Sequence, residues 1–244
     1  MKLFTESSNV GDKYIKITDH GDIRHLCKVL RLREGDTVDV SDRNQWEYET
    51  EILSISEDEV LLAICDKQKF AREPQVHVTL FQGVPKAGKM ETIIQKCVEL
   101  GVYSITPVFM ERSVVVEKGN FAKKLERWQK VSDEAVKQCR RGIVPEVRKQ
   151  QKFREMTDAL AGYDLVIFPY ENETGTTMKD CLRGLSEIPQ RIAIVIGPEG
   201  GFADSEAELL DQAGAIRVSL GKTILRTETA GMAALAMVMY ELEL

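Results

Sequence analysis

Hydrophobic positions along the chain follow two rhythms, and the change between them falls near residue 75. Before it, apolar and β-branched residues alternate with polar ones in short runs. Tyr14–Thr18, Thr37–Ser41, Trp46–Ile55 and Glu59–Cys65 read as strands. A short helix near Asp22–Leu30 stands between the first two, preceded by Asp19 or His20 and followed by a turn at Gly35. The polar run Asp66–Pro74 reads as a linker, which predicts a small β-rich domain over residues 1–70 and a second domain over 75–244. After the linker the pattern alternates between element types. Val76–Gln82, Tyr103–Phe109, Leu165–Phe168, Arg191–Ile196 and Ile216–Ser219 read as buried strands. Lys86–Leu100, Phe121–Arg141, Ser205–Ala213 and Glu228–Leu242 read as helices, and Met90, Ile93, Ile94, Cys97 and Val98 share one helix face. This alternation predicts an α/β layer with a mostly parallel sheet.

Two loops near the C-terminal end run from a strand into a helix, the place where α/β sheets bind ligands. The first is Gly197-Pro198-Glu199-Gly200-Gly201, and Ser205 with Glu208 spells a capping box for the helix that follows. Glycines there let backbone approach a ligand, or they form a tight turn with none. The second is Ser219–Gly231 (SLGKTILRTETAG), rich in hydroxyls and backbone donors. Its Gly-Lys-Thr lacks the glycine a phosphate-binding loop needs five residues earlier, where Ile216 stands. The closing segment Ala230–Tyr240 is apolar on all faces, so it passes through the core or packs on a second subunit.

Net charge is −6, which at first argues against an anionic partner. Its distribution changes that: the balance is −5 over residues 1–74, +6 over 85–150 and −7 over 151–244. A basic stripe on an acidic protein suits RNA. Five scattered cysteines and three histidines, none at ligand spacing, predict neither a disulfide framework nor a metal site. The absence of a signal-like or membrane-length apolar run leads us to expect a soluble cytoplasmic protein.

The ordered set GVPKAGKMETIIQKCVELGV, ERSVVV, IGPEGGF and LGKTILRTETA strongly resembles the SPOUT superfamily of knotted RNA methyltransferases. Within it, the match is to the branch that methylates N3 of a uridine in bacterial small-subunit (16S) ribosomal RNA. The HLCKVLRLREGD segment resembles that branch's PUA-like, RNA-binding β-barrel domain. The resemblance implies a C-terminal trefoil knot, a homodimer, and S-adenosylmethionine held by loop backbone. It places the cofactor at Phe168, Pro169, Ile196, Gly197, Pro198, Glu199, Gly200, Gly201, Leu220, Gly221, Leu225, Arg226, Thr227, Thr229 and Ala230.

Expected RNA contacts are Arg24, Lys28, Arg31 and Arg33 in the first domain, and Lys86, Lys89, Lys137, Arg140 and Arg141 in the second. The alternative for these stripes is a solvated helix face. Arg112 and Arg226 are candidates to stabilise an imide anion, since guanidinium donates two parallel bonds to carbonyl oxygens. Glu199 or Glu228 is either a general base or a loop-fixing ion pair. No Ser-His-Asp set or reactive Cys-His pair points to covalent catalysis. Two other classes stay open: a non-catalytic RNA-binding or ribosome assembly factor on the same fold, and a phosphoryl transferase.

Overall fold

The computed structural model describes residues 2–43, 46–69, 73–115 and 121–243. Contacts divide them into two units. The first runs to Glu73 and also takes in Val136–Val144; the second holds Pro74–Ala135 and everything from Pro145 onward.

The first unit is a five-stranded mixed sheet of β1 (Lys2–Phe4), β2 (Tyr14–Ile17), β3 (Thr37–Ser41), β4 (Trp46–Ile55) and β5 (Val60–Lys69), in the order β1-β3-β4-β5-β2. β1 lies parallel to β3 and the other pairs are antiparallel. Alternation does what the sequence predicts: Ile15, Ile17, Val38, Val40, Ile52, Val60 and Leu62 turn inward onto one core. Ile23 and Leu26 cover that core from α1 (His20–Arg24) and the π-turn His25–Val29 that continues it. Asp19 caps α1 by accepting from the Asp22 N–H at 2.8 Å.

Two expectations change here. Asp66–Lys69 is strand rather than linker, paired in register with Trp46–Glu49. Its side chains are exposed, so ladder hydrogen bonds hold it and hydrophobic patterning could not reveal it. Arg141 is also no surface residue. It is buried, and its guanidinium lies 2.7 Å from Glu73 Oε2. The same Glu73 carboxylate accepts the Gly142 and Ile143 N–H groups at 2.7 and 3.0 Å. The Ser41 hydroxyl donates to the Gly142 carbonyl at 2.7 Å. These bonds explain why Val136–Val144 belongs to this unit.

The second unit is built on a parallel sheet of β6 (His77–Gly83), β7 (Ser104–Phe109), β8 (Glu146–Val147), β10 (Leu165–Pro169), β11 (Arg191–Ile196) and β12 (Ile216–Val218), in the order β12-β10-β11-β6-β7-β8. The short β9 (Gln151–Lys152) also pairs with β7. One face carries Phe81, Val166, Phe168, Ala193 and Val195, which pack with Met156 of α4 (Phe153–Ala159) and Ala207 and Leu210 of α6 (Asp204–Gln212). On the other side α2 (Lys89–Glu99) packs on α7 (Thr227–Leu242), and α7 packs on β6 and β11. The remaining α-helices are α5 (Met178–Arg183) and α3 (Phe121–Cys139), whose residues from Val136 onward belong to the first unit. The chain moves outward from β6 to β7 and β8 on one side, then crosses to the other, where β10 is laid down before β11 fills the place between it and β6 and β12 is added at the edge. The carboxyl ends of β10, β11 and β12 therefore meet beside a reversal of strand order, where α/β sheets open a crevice.

Helix starts differ from the pattern-based reading. α2 begins at Lys89, after Gly88 at φ 66°, so Lys86 stands in the preceding turn. α6 begins at Asp204, and its reach-back carboxylate is Glu206 rather than the expected Glu208. Buried Glu206 accepts the Ala203 N–H at 2.9 Å and the Glu111 N–H at 2.8 Å, serving a neighbouring loop as well as the helix end. α7 is not buried all round within this chain. Gly231, Ala234, Leu235 and Val238 face the core, whereas Met237 is 37% and Tyr240 69% exposed.

Candidate active site

Three loops leaving β10, β11 and β12 enclose a cavity of about 540 Å³, within the usual range for a small-molecule site. Pro169, Ile196, Gly197, Pro198, Glu199, Gly200, Gly201, Leu220, Gly221, Leu225, Arg226, Thr227 and Ala230 all line it, as does Arg112. Phe168 does not: it is fully buried one residue earlier, in the core beneath. Thr229 is exposed and is not among the lining residues. Gly201 and Gly221 adopt φ 68° and 136°, conformations that side chains rarely accept.

The loop after β11 is braced from behind. A Cβ on Gly83 would lie 2.5 Å from the Pro198 nitrogen and 2.8 Å from the Gly197 carbonyl carbon, so the end of β6 must be glycine there. Beside it, the fully buried Gln82 Nε2 donates to Thr227 Oγ1 at 2.9 Å. The Thr227 hydroxyl in turn donates to the Gly197 carbonyl at 2.6 Å. One relay thus ties β6, the first turn of α7 and the first glycine of the loop.

Charge is distributed around the rim. Lys89 Nζ lies 3.1 Å from both Glu199 Oε1 and Glu228 Oε2. Glu199 also accepts the Lys86 N–H at 3.0 Å. The carboxylate of Glu199, then that of Glu228, each close to Nζ, pushes the Lys89 ammonium up. Burial alone would raise the Glu199 carboxyl, but the Lys86 and Glu199 N–H groups and Lys89 outweigh it and hold it below the usual carboxylate range. Glu228 is likewise lowered, burial being overcome by its own N–H, by Lys89 and by Arg226. Both are therefore anions locked in place, and of the two earlier readings the geometry favours loop fixing over general base.

Arg112 Nη1 donates to the Gly200 carbonyl at 3.4 Å, and Arg226 precedes the first turn of α7. Both are exposed beside the cavity. Tyr170, which sequence reasoning missed, adds an aromatic wall. The Arg217 guanidinium sits 5.0 Å from its ring centroid, 5.8 Å from that of Phe168, and is held by Asp211. The register of β10 and β12 places Arg217 opposite Phe168, a pairing no local pattern announces.

The predicted RNA contacts fare unevenly. Arg24, Lys28, Arg31 and Arg33 are all exposed, with Arg31 at φ 56°; Lys137, Arg140 and Lys86 are exposed too. Arg141 is committed to Glu73, and Lys89 to the cavity rim. Along the same helical stripes Lys96 pairs with Glu99 and Arg127 with Glu91.

Residues 72–239 match the sequence model of the RNA methyltransferase domain, and residues 17–65 match that of the RNA methyltransferase PUA domain. The chain belongs to the RNA methyltransferase family. It is 33% identical to the ribosomal RNA small subunit methyltransferase E of Bacillus subtilis over 227 residues, covering 91% of this chain and 89% of that one. The Aquifex aeolicus protein of the same name is 29% identical over 98% of this chain and 99% of its own length. Among solved structures, the methyltransferase E of Neisseria gonorrhoeae, bound to S-adenosyl methionine, superimposes with a TM-score of 0.84 at 28% identity, covering 98% of this chain and 96% of that one. The mixed-sheet first unit and the parallel-sheet second unit are thus a PUA domain and a SPOUT-type methyltransferase fold.

Proposed function

We propose that this family member uses S-adenosylmethionine to methylate N3 of a uridine in small-subunit ribosomal RNA. The observation that carries the reading is the cavity itself: backbone-lined loops from three strand ends, with two arginines at the mouth. Its volume and its left-handed glycines suit a bent nucleoside cofactor approached closely by main chain. The bound cofactor supplies a methyl group already activated on a sulfonium sulfur.

This chain's residues then have two tasks. The loops position the acceptor nitrogen in line with the methyl, which converts encounter into a near-unimolecular step. Arg112 and Arg226 donate to the two carbonyl oxygens flanking N3 and stabilise the anion as its proton leaves to solvent. Glu199 and Glu228, held low and bonded to Lys89, are structural anions in this scheme. The target base is unpaired, since N3 is otherwise engaged in pairing.

On the same reading residues 1–70 bind RNA through Arg24, Lys28, Arg31 and Arg33, and residues 75–244 carry catalysis in the cytoplasm. The protein acts as a homodimer through the outer stripe of α7 that includes Met237 and Tyr240, with the C-terminal chain threaded as a trefoil knot. The test is methyl transfer from labelled S-adenosylmethionine to small subunits from a strain lacking the enzyme, with mass mapping of the product. One new N3-methyluridine is the expected result. Methylation at another position, or none on subunits or naked RNA, overturns the reading.

A further inference from the structure

We propose that Lys89 is a positioning residue that ties the Gly197–Gly201 loop to the first turn of α7 through Glu199 and Glu228, and so holds the cofactor cleft in its binding shape. The proposal rests on the reading of the cleft as a cofactor site. It removes Lys89 from the set of phosphate-contacting lysines to which its sequence position assigns it.

Three chain segments far apart in sequence meet at one nitrogen. Lys89 opens α2, Glu199 stands at the tip of the loop after β11, and Glu228 lies in the first turn of α7. The Nζ sits 3.1 Å from an oxygen of each carboxylate, so the two acidic oxygens lie within about 6 Å of each other. Glu228 Oε2 is shut off from solvent and finds no well-aligned donor. Its charge is offset by proximity to the ammonium rather than by a directed bond. The backbone cannot substitute for Lys89: Glu199 already takes the Lys86 N–H. Arg226 faces Glu228 but stands at the start of the same helix, so it cannot tie that helix to the loop. Arg112 reaches the loop only at the Gly200 carbonyl. Arg226, Arg112, Glu171, Asp204 and Lys222 also stand charged at the cleft, and among the described residues Lys89 alone bridges both carboxylates.

Without the ammonium, two carboxylates would face each other at short range. Like charges that close push one proton affinity up. At alkaline pH they repel and the loops part; as pH falls, one takes a proton, bonds the other and restores the contact. Wild type has no such transition near neutrality, because Lys89 stays charged there.

The test is calorimetric binding of S-adenosylhomocysteine, which carries no sulfonium charge, between pH 5.5 and 8.5, with S-adenosylmethionine binding to wild type measured alongside. Wild-type affinity is expected to stay flat across this range. K89M is expected to bind about tenfold more weakly at pH 8 and to recover most of the loss by pH 5.5. K89R is expected to stay within about threefold of wild type, and K89M/E228Q to regain most of the affinity at pH 8. Should K89M not fold, K89M/E228Q compared with E228Q carries the test, and the expected difference is below about threefold. The clamp is overturned if K89M binds like wild type throughout, or if its loss is the same at every pH and E228Q does not relieve it. Failure of wild type to bind either compound overturns the cofactor reading itself, and the clamp with it.

Discussion

Thr227 shows how much one hydroxyl can carry. It accepts from the fully buried Gln82 and donates to Gly197 at the cavity wall. Thr227→Val keeps the shape but leaves the buried Gln82 amide with only the Gly83 carbonyl as acceptor and removes the hydroxyl donor to the Gly197 carbonyl, which costs about 1–3 kcal/mol of stability. Urea unfolding should show that loss, and the affinity for S-adenosylmethionine should fall with it. Arg141 gives a parallel case in the first unit. Arg141→Ala removes the only charge paired with Glu73 among the described residues and leaves the carboxylate to the Gly142 and Ile143 N–H groups, so a destabilisation of about 3 kcal/mol is expected in the same assay. An RNA-contacting arginine would instead leave the unfolding midpoint unchanged. Burial pushes the Cys97 thiol up to about 12. In the native protein at pH 8 the exposed Cys65 should react with a disulfide reagent while Cys97 waits for unfolding. Acid also acts at this scale. Glu199 and Glu228 lie below their ordinary range in the folded state, so their stabilisation is complete above that range. It is lost as pH falls through their lowered values, below the ordinary carboxylate range.

At the level of elements, the site depends on how closely strand ends and helix starts approach. β6 reaches the loop after β11 only because Gly83 has no Cβ. Gly83→Ala forces backbone apart at Pro198, so cofactor affinity is expected to drop more than tenfold while circular dichroism stays native. Calorimetry on the folded variant checks this, and unchanged affinity would show that the loop moves freely. The longer strands of both units and the inward face of α2 follow from apolar patterning and from helical spacing, whereas the short β1, β8 and β9 carry no such pattern and are not predicted by it. The extent of β5 and the starts of α2 and α6 do not follow from it either, because exposed ladder pairing and Glu206 in a double role leave no local pattern.

For the whole molecule, the question is how an acidic protein holds RNA. Its net charge is −6, yet Arg24, Lys28, Arg31 and Arg33 stand exposed together in the PUA unit. Each phosphate contact contributes about 0.7–0.9 to the slope of log affinity against log salt. Replacing all four by alanine should therefore lower the slope measured on a small-subunit RNA fragment by about 2–4. It should leave S-adenosylmethionine binding unaltered. An unchanged slope would move the RNA face elsewhere.

The sequence by itself determined the α/β class, the change of rhythm near residue 75, the two glycine-rich loops and the family, because these rest on local periodicity and on ordered motifs. The tertiary structure decided what each charged or polar side chain does. Lys89 and Arg141 look alike on a helical stripe, yet one bridges two carboxylates at a cavity rim and the other is buried on Glu73. Gln82 and Arg217 look ordinary in their strands until β6, α7, β10 and β12 bring their partners within reach. A side chain's role is set by partners distant along the chain, and only folding brings those partners together.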